Sequence, residues 1–486
     1  MNIELQSVAL VNPENIKRTV ALAERSIKEC WAKLVMLQSE TATKQERFES
    51  FISFQSGLFS ALFELESCYN EVCAKERELI SKKTIAKSIF KGEMERIAKY
   101  KGLLDGIIDI GKSLGDAFAW IFYLRNRRLL RKHYEHEFIP RLPTRIGGKG
   151  VVEFIKKHQM FGRYFVLSHA ITTFLREGDV SLIDPSSLQV AALGEIKTQK
   201  ISETEISTSI YIIGERKLPK SMLPPILKRP RDDQASKTTW DTSFVERLKK
   251  QINSMEKLFK ESKPVGLPEK IKMSLPFAKL DQLFKESSKN EWGHVRVGQG
   301  LMLIGIRCDE SSWADQVVES STDCIKVYER NLAQIPSLAV GIVDKNLPDN
   351  GLIVGSMFYP AKGRYELELK MRPLFWWHLS TEAREAIIFK RIVVMTLYNP
   401  AFLSKALREA GFDAQFHKKG GLKIFKKYGI GQLQIIGINY LYKLVQTHLL
   451  SEETIVTMIQ KSVEKVEKAK IKQTTCVSID FDFRFQ

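Results

Sequence analysis

The 486-residue sequence predicts a mixed α/β fold: a helical N-terminal region, an α/β core in the middle third and a separate C-terminal α/β segment. Three observations predict it. Apolar residues recur at helical spacing through the first 95 positions. Short apolar runs bounded by turn residues occupy 180–213. Beyond residue 261, runs of strand character intermix with helical stretches. Sixteen prolines and 28 glycines are near average usage, which excludes collagen-like and globally disordered classes. The length suggests two or three domains, divided as 1–100, 101–260 and 261–486.

At the N-terminus, Ile16, Val20, Ala23, Ile27, Cys30, Leu34 and Leu37 follow alternating steps of four and three. Phe48, Phe51, Phe54, Leu58, Leu62, Leu65 and Tyr69 form a second stripe, and a turn at 39–43 separates the two. Two such helices make a hairpin, either packed within the chain or offered to a second copy or a protein partner. Helix continues over 101–137 and stops at the connector Pro140–Gly150 (PRLPTRIGGKG). Helices are expected at 151–158 and 161–174, then strands at 180–183, 189–196 and 206–213. The proline-rich, charged stretch 215–240 reads as a long exposed loop, and helix resumes at Ser243. In the C-terminal half, strands are expected at 295–306, 338–343, 352–358 and 365–371, and helices at 381–410, 431–448 and 451–470. The final run alternates Val477, Ile479, Phe481, Phe483 and Phe485 with polar residues, as a half-buried strand does.

Lysine and arginine number 75 against 57 acids, a net charge of +18 that points to a polyanion or an anionic surface. The excess is patchy: residues 101–150 carry 10 basic and 5 acidic side chains, 401–450 carry 8 and 2, and 301–350 reverse the balance at 4 and 8. Patchiness favours a binding footprint. The candidate phosphate-contacting residues are Arg125, Arg127, Arg128, Arg131 and Lys132 in the first zone, and Lys418, Lys419 and Lys423 in the second. The first residues show no secretory signal pattern, no apolar stretch is long enough to span a membrane, and six scattered cysteines form no CxxC pair. A cytoplasmic protein with reduced thiols and no membrane partner is the expectation. Gly147–Gly150 lacks the spacing of a phosphate loop, and Gly298-Gln299-Gly300 lacks a third glycine for a dinucleotide site.

The informative stretch is Thr173–Lys197. Gly178-Asp179 opens one apolar strand, and a second, Val190–Leu193, runs directly into Glu195-Ile196-Lys197. On a strand Glu195 and Lys197 share a face, and a hairpin brings Asp179 beside them. Two carboxylates and the Ile196 carbonyl make a hard oxygen site suited to Mg²⁺ or Mn²⁺. Such a metal activates water and neutralises phosphoryl charge, and Lys197 can assist either task. The E-x-K triplets Glu261–Lys263 and Glu368–Lys370 lie on a polar helix end and on a solvated strand face.

Asp179…Glu195-x-Lys197 resembles the core motif of the PD-(D/E)XK nuclease superfamily: an Asp on one strand and an (Asp/Glu)-x-Lys on the next. The resemblance covers roughly 101–260 and implies a restriction-endonuclease-like α/β core. It departs from the family in having Gly178 where many members have proline, and in the long loop at 215–240. The helix carrying Lys249, Lys250 and Gln251 is similar to the polar helix after the motif in many members. For the family's upstream acid the matching position is Asp116, with Glu135 and Glu153 as rivals. The resemblance implies a metal-dependent nuclease acting on DNA rather than RNA, in restriction, repair or anti-phage defence. The alternative is a nucleic-acid-binding or assembly protein that keeps the fold without the chemistry.

Overall fold

In the computed structural model the described residues are 11–39, 43–81, 87–124, 129–130, 133, 146–200, 206–214, 246, 250–255, 270–273, 276–308, 312–318, 335–343, 353–358, 373–417, 421–428, 431–435, 444–446, 449–468 and 482–485. Outside them lie Arg125, Arg127, Arg128, Arg131, Lys132, Glu135, Lys249, Lys418, Lys419, the loop 215–240, the expected strand 365–371 and the Glu261–Lys263 triplet. The protein is mixed helix and sheet with a helical N-terminal region, and it divides into two compact units. Unit 1 comprises Met1–Lys263 with Ser311–Ser320, and unit 2 comprises Pro264–Glu310 with Ser321–Gln486. Among the described residues no helix is long and apolar enough to cross a membrane.

Unit 1 opens with three helices: α1 (Pro13–Gln38), α2 (Lys44–Ser81) and α3 (Lys87–Tyr123). The starts of α1 and α2 are written locally. Asn12 accepts a hydrogen bond from the Glu14 N–H at 3.0 Å, and Pro13 occupies the position that needs no donor. Before α2, the Thr43 N–H donates to Glu46 Oε2 at 2.8 Å while the Glu46 N–H donates back to Thr43 Oγ1 at 3.2 Å, a reciprocal capping box. Of the expected stripes, Ile16, Val20, Ala23, Ile27, Cys30 and Leu34 on α1 and Phe51, Phe54, Leu58, Leu62 and Leu65 on α2 are buried, while Leu37, Phe48 and Tyr69 at their ends are half-buried. The expected boundary at residue 100 falls inside α3.

These helices are the platform for an antiparallel sheet in the order β1-β2-β3-β4-β5: Met160–Phe161, Tyr164–Ser168, Val180–Asp184, Gln189–Lys200 and Ile206–Gly214. Phe51 and Phe54 of α2 meet Phe118 and Phe122 of α3, with Phe165 of β2 closing the cluster at ring separations of 4.3–6.1 Å. Gln55, fully buried, donates to the Val166 carbonyl at 2.7 Å and accepts from the Ser168 N–H at 2.8 Å. Its amide thereby pairs with β2 as another strand would.

Two expectations here are corrected. The stretch 161–174 is the β1–β2 hairpin and a 3-10 turn (His169–Ile171), not a helix. All five residues Tyr164–Ser168 are buried, and a short run buried on both faces carries no period to separate strand from helix. The described part of the connector, residues 146–150, is instead the start of α4 (Ile146–Lys157). A Cβ at Gly150 would lie 1.8 Å from Thr198 Oγ1 of β4, so the glycine lets the helix approach the sheet.

Unit 2 holds a second antiparallel sheet, β7-β8-β10-β9 (Trp292–Val297, Leu301–Arg307, Ile392–Tyr398, Val354–Phe358), whose core includes Met302, Ile304, Ile306, Ile342, Met395 and Leu397. A smaller sheet, β11-β12-β13 (Asp413–His417, Gly421–Tyr428, Gly431–Ile435), and a parallel pair of β6 (Lys270–Met273) with β14 (Asp482–Phe485) complete its strands among the described residues. The single strand expected at 295–306 is a hairpin that turns at Gly298, and 338–343 begins in a short helix (Ile335–Val340). The helix expected at 381–410 is helix, strand, helix (Thr381–Ile388, β10, Ala401–Glu409). The first part of the helix expected at 431–448 is strand β13. The helix expected at 451–470 spans Glu452–Lys468.

Candidate active site

The site lies where β3 begins and β4 continues past it. Gly178 has φ +74°, and a Cβ there would sit 3.0 Å from the Gly194 carbonyl oxygen and 3.1 Å from Met255 Sδ. Proline, with φ held near −65°, cannot take that conformation. The Asp179 N–H donates to the Gly194 carbonyl at 2.8 Å and the His169 N–H donates to the Asp179 carbonyl at 2.9 Å, so the backbone of Asp179 is held on both sides.

Its side chain turns to β4. The Ile196 N–H donates to Asp179 Oδ2 at 2.7 Å. Ile196 therefore presents its polar backbone to the Asp179 side and not to β5. In a strand the N–H and C=O of one residue project the same way, so its carbonyl faces that side too. Glu195 is buried at 5% exposure. Lys197 Nζ donates to Glu195 Oε1 at 2.6 Å and to Gln251 Oε1 at 2.8 Å, Gln251 coming from the helical residues 250–255. Burial and repulsion from Glu195 raise Asp179 to about 7, opposed by the Ile196 N–H and the Lys197 charge. The structure thus brings Asp179, Glu195, Ile196, Lys197 and Gln251 together.

It does not bring Asp116 to them by hydrogen bond or ion pair. Asp116, on α3, accepts from the Thr173 N–H at 2.7 Å and from Thr173 Oγ1 at 2.6 Å, clamping the loop that leads to β3. Burial lifts its carboxyl to about 7 against those hydrogen bonds. The rival Glu153 is exposed and pairs with Lys157 at 3.2 Å. Among the described residues no group of three or more His, Cys, Asp or Glu side chains gathers as a metal cluster. The donor set is two carboxylates and a strand carbonyl, which suits a hard cation that keeps several waters. Of the remaining basic candidates, Lys250 is exposed beside Gln251, and Lys423 is exposed on β12 of unit 2.

Behind the site is a buried polar cluster that sequence spacing does not announce. Tyr123 Oη lies 2.6 Å from Ser181 Oγ and 3.1 Å from His133 Nε2, and Ser181 Oγ lies 2.6 Å from His169 Nε2. All four side chains are buried, and burial holds His169 down at about 4. Their separations in sequence, 10, 58 and 12 residues, follow no period, and each residue alone reads as ordinary core.

No family model, curated protein or solved structure matches the chain.

Proposed function

We propose that this protein is a metal-dependent phosphodiesterase acting on nucleic acid, DNA in preference to RNA, through a PD-(D/E)XK-like site in unit 1. One observation carries the reading: Asp179, just before buried strand β3, converges with Glu195 of β4, close enough to repel, with Lys197 beside them. Buried like charges are costly unless a cation or proton compensates them. Asp179, Glu195 and the Ile196 carbonyl would hold Mg²⁺ or Mn²⁺. When bound, such an ion lowers the pKa of a coordinated water and neutralises charge on a phosphoryl oxygen.

The chain's own groups do the rest. Lys197, an ammonium with three donors, orients the attacking water or donates to a phosphoryl oxygen as negative charge builds there. Gln251 holds Lys197 from the opposite side of the site. The Ile196 N–H fixes one Asp179 oxygen and so aims the other. Asp116 acts at a distance, by fixing Thr173. The basic zone at 101–150 contributes phosphate contacts in unit 1, and Lys250, exposed beside Gln251, offers another next to the site.

The test is cleavage of duplex DNA with Mg²⁺ or Mn²⁺. Asp179→Ala and Glu195→Ala are each expected to lower the rate at least ~100-fold, because each removes a ligand and leaves the other charge buried. Activity that survives both changes would sink the assignment. The 2.6 Å Lys197–Glu195 ion pair supports a second reading, a protein that binds nucleic acid on this fold without cutting it. That reading predicts salt-sensitive DNA binding with no metal-stimulated cleavage.

A further inference from the structure

We propose that Tyr123, His133, His169 and Ser181 form a one-way hydrogen-bond ring that locks the Glu177-Gly178 turn, making them positioning residues for Asp179. The ring begins and ends on the backbone of two adjacent residues. The Glu177 N–H donates to His133 Nδ1 at 3.2 Å, and the Gly178 carbonyl receives His169 Nδ1 at 2.9 Å. A backbone N–H can only donate and a carbonyl can only accept. Those two ends set every proton between them.

His133 accepts at Nδ1, so as a neutral imidazole it carries its proton at Nε2 and donates to Tyr123 Oη at 3.1 Å. Tyr123 then donates to Ser181 Oγ, and Ser181 donates to His169 Nε2, each at 2.6 Å. That leaves the His169 proton on Nδ1, facing the Gly178 carbonyl. Both rings are neutral, and they are opposite tautomers.

Ser181 beside a histidine is no nucleophile here, because neither is exposed to solvent. The hydroxyls join α3 to β3, and the histidines join both to the turn that presents Asp179. Gly178 needs its left-handed conformation for that presentation, and the ring holds the Glu177 N–H before it and its own carbonyl after it. Asp116 clamps the same loop at Thr173, so the chain entering β3 is tied at two points. The consequence for catalysis rests on the functional reading above; the ring itself does not.

The test uses the full chain, labelled at histidine, with Tyr123→Phe as the ring-breaking variant. In the wild type, nitrogen-detected spectra are expected to show His133 protonated at Nε2 and His169 at Nδ1. In Tyr123→Phe, the Asp179 and Ile196 amides are expected to exchange about tenfold faster while that of Leu193, deeper in β4, is unchanged. Mn²⁺ affinity, read by calorimetry, falls about tenfold, the usual size of a supporting-residue effect. Leu34→Ala, in the α1 core, lowers thermal stability without this local signature. A reversed tautomer at either histidine overturns the proposal, even if Tyr123→Phe fails to fold. So does exchange that is unchanged or uniformly faster. A wild type with these tautomers and local loosening that binds no Mn²⁺ supports the ring and removes the metal reading.

Discussion

Asp116 and Asp179 show how burial sets the behaviour of single residues in unit 1. Both carboxyls are raised to about 7 in the folded chain, largely by burial. Such a group binds its proton more tightly folded than unfolded, so stability is greatest below the unfolded pKa near 4 and falls as pH rises towards about 7. Asp116→Asn keeps an acceptor for the Thr173 N–H and removes the titration. We expect this variant to lose less stability than the wild type between pH 4 and 7, by on the order of 2–4 kcal/mol in urea unfolding. A profile parallel to the wild type would place the carboxyl outside the buried clamp. At pH 8 Asp179→Asn should raise the thermal midpoint while abolishing Mn²⁺ binding, because it removes the repulsion with Glu195 together with a ligand. A variant that binds Mn²⁺ as the wild type does would refute the ligand role. At this scale the triad was legible in the sequence, since strand alternation puts Glu195 and Lys197 on one face. The sequence shows Asp116 as an acid upstream, and only the fold shows Thr173 against it.

At the scale of elements, the contact between α2 and β2 depends on a side chain acting as backbone. Gln55→Leu would leave the Val166 carbonyl and the Ser168 N–H buried without that partner. The expected cost is about 2–4 kcal/mol, seen as a lower urea midpoint with an unchanged slope; a loss below about 0.5 kcal/mol would contradict it. Gly150→Ala tests the α4–β4 approach, with helix propensity and packing predicting opposite signs. Propensity alone would stabilise by about 1 kcal/mol. The 1.8 Å approach to Thr198 Oγ1 predicts a net loss of about 1–3 kcal/mol, partly relieved when Thr198→Ala is added. The long N-terminal helices were legible because a stripe over many turns is a repeated signal. Strands β2 and β10 were not, since a short run buried wholly or nearly so has no polar face to report its period. The glycines at 147–150 were read as part of a connector, whereas Gly150 serves close packing.

At the scale of the molecule, the +18 charge is a statement about partners and carries a salt test. Binding of duplex DNA without metal is expected to weaken by about 10³-fold or more between 50 and 200 mM salt, if six or more phosphates are contacted. A flat dependence, measured by fluorescence anisotropy, would remove the nucleic-acid reading while leaving the geometry of Asp179 and Glu195 intact. The sequence by itself determined the helical N-terminus, the strand pair that carries the triad, and the uneven charge, because each is written in local order: a period, an alternation, a count. Only the tertiary structure decided that Asp116 clamps Thr173, that Gln55 completes β2, and that Tyr123, His133, Ser181 and His169 meet behind the Glu177-Gly178 turn. Those contacts join residues from 10 to 113 positions apart, and no local pattern encodes a partner that the chain must fold to reach.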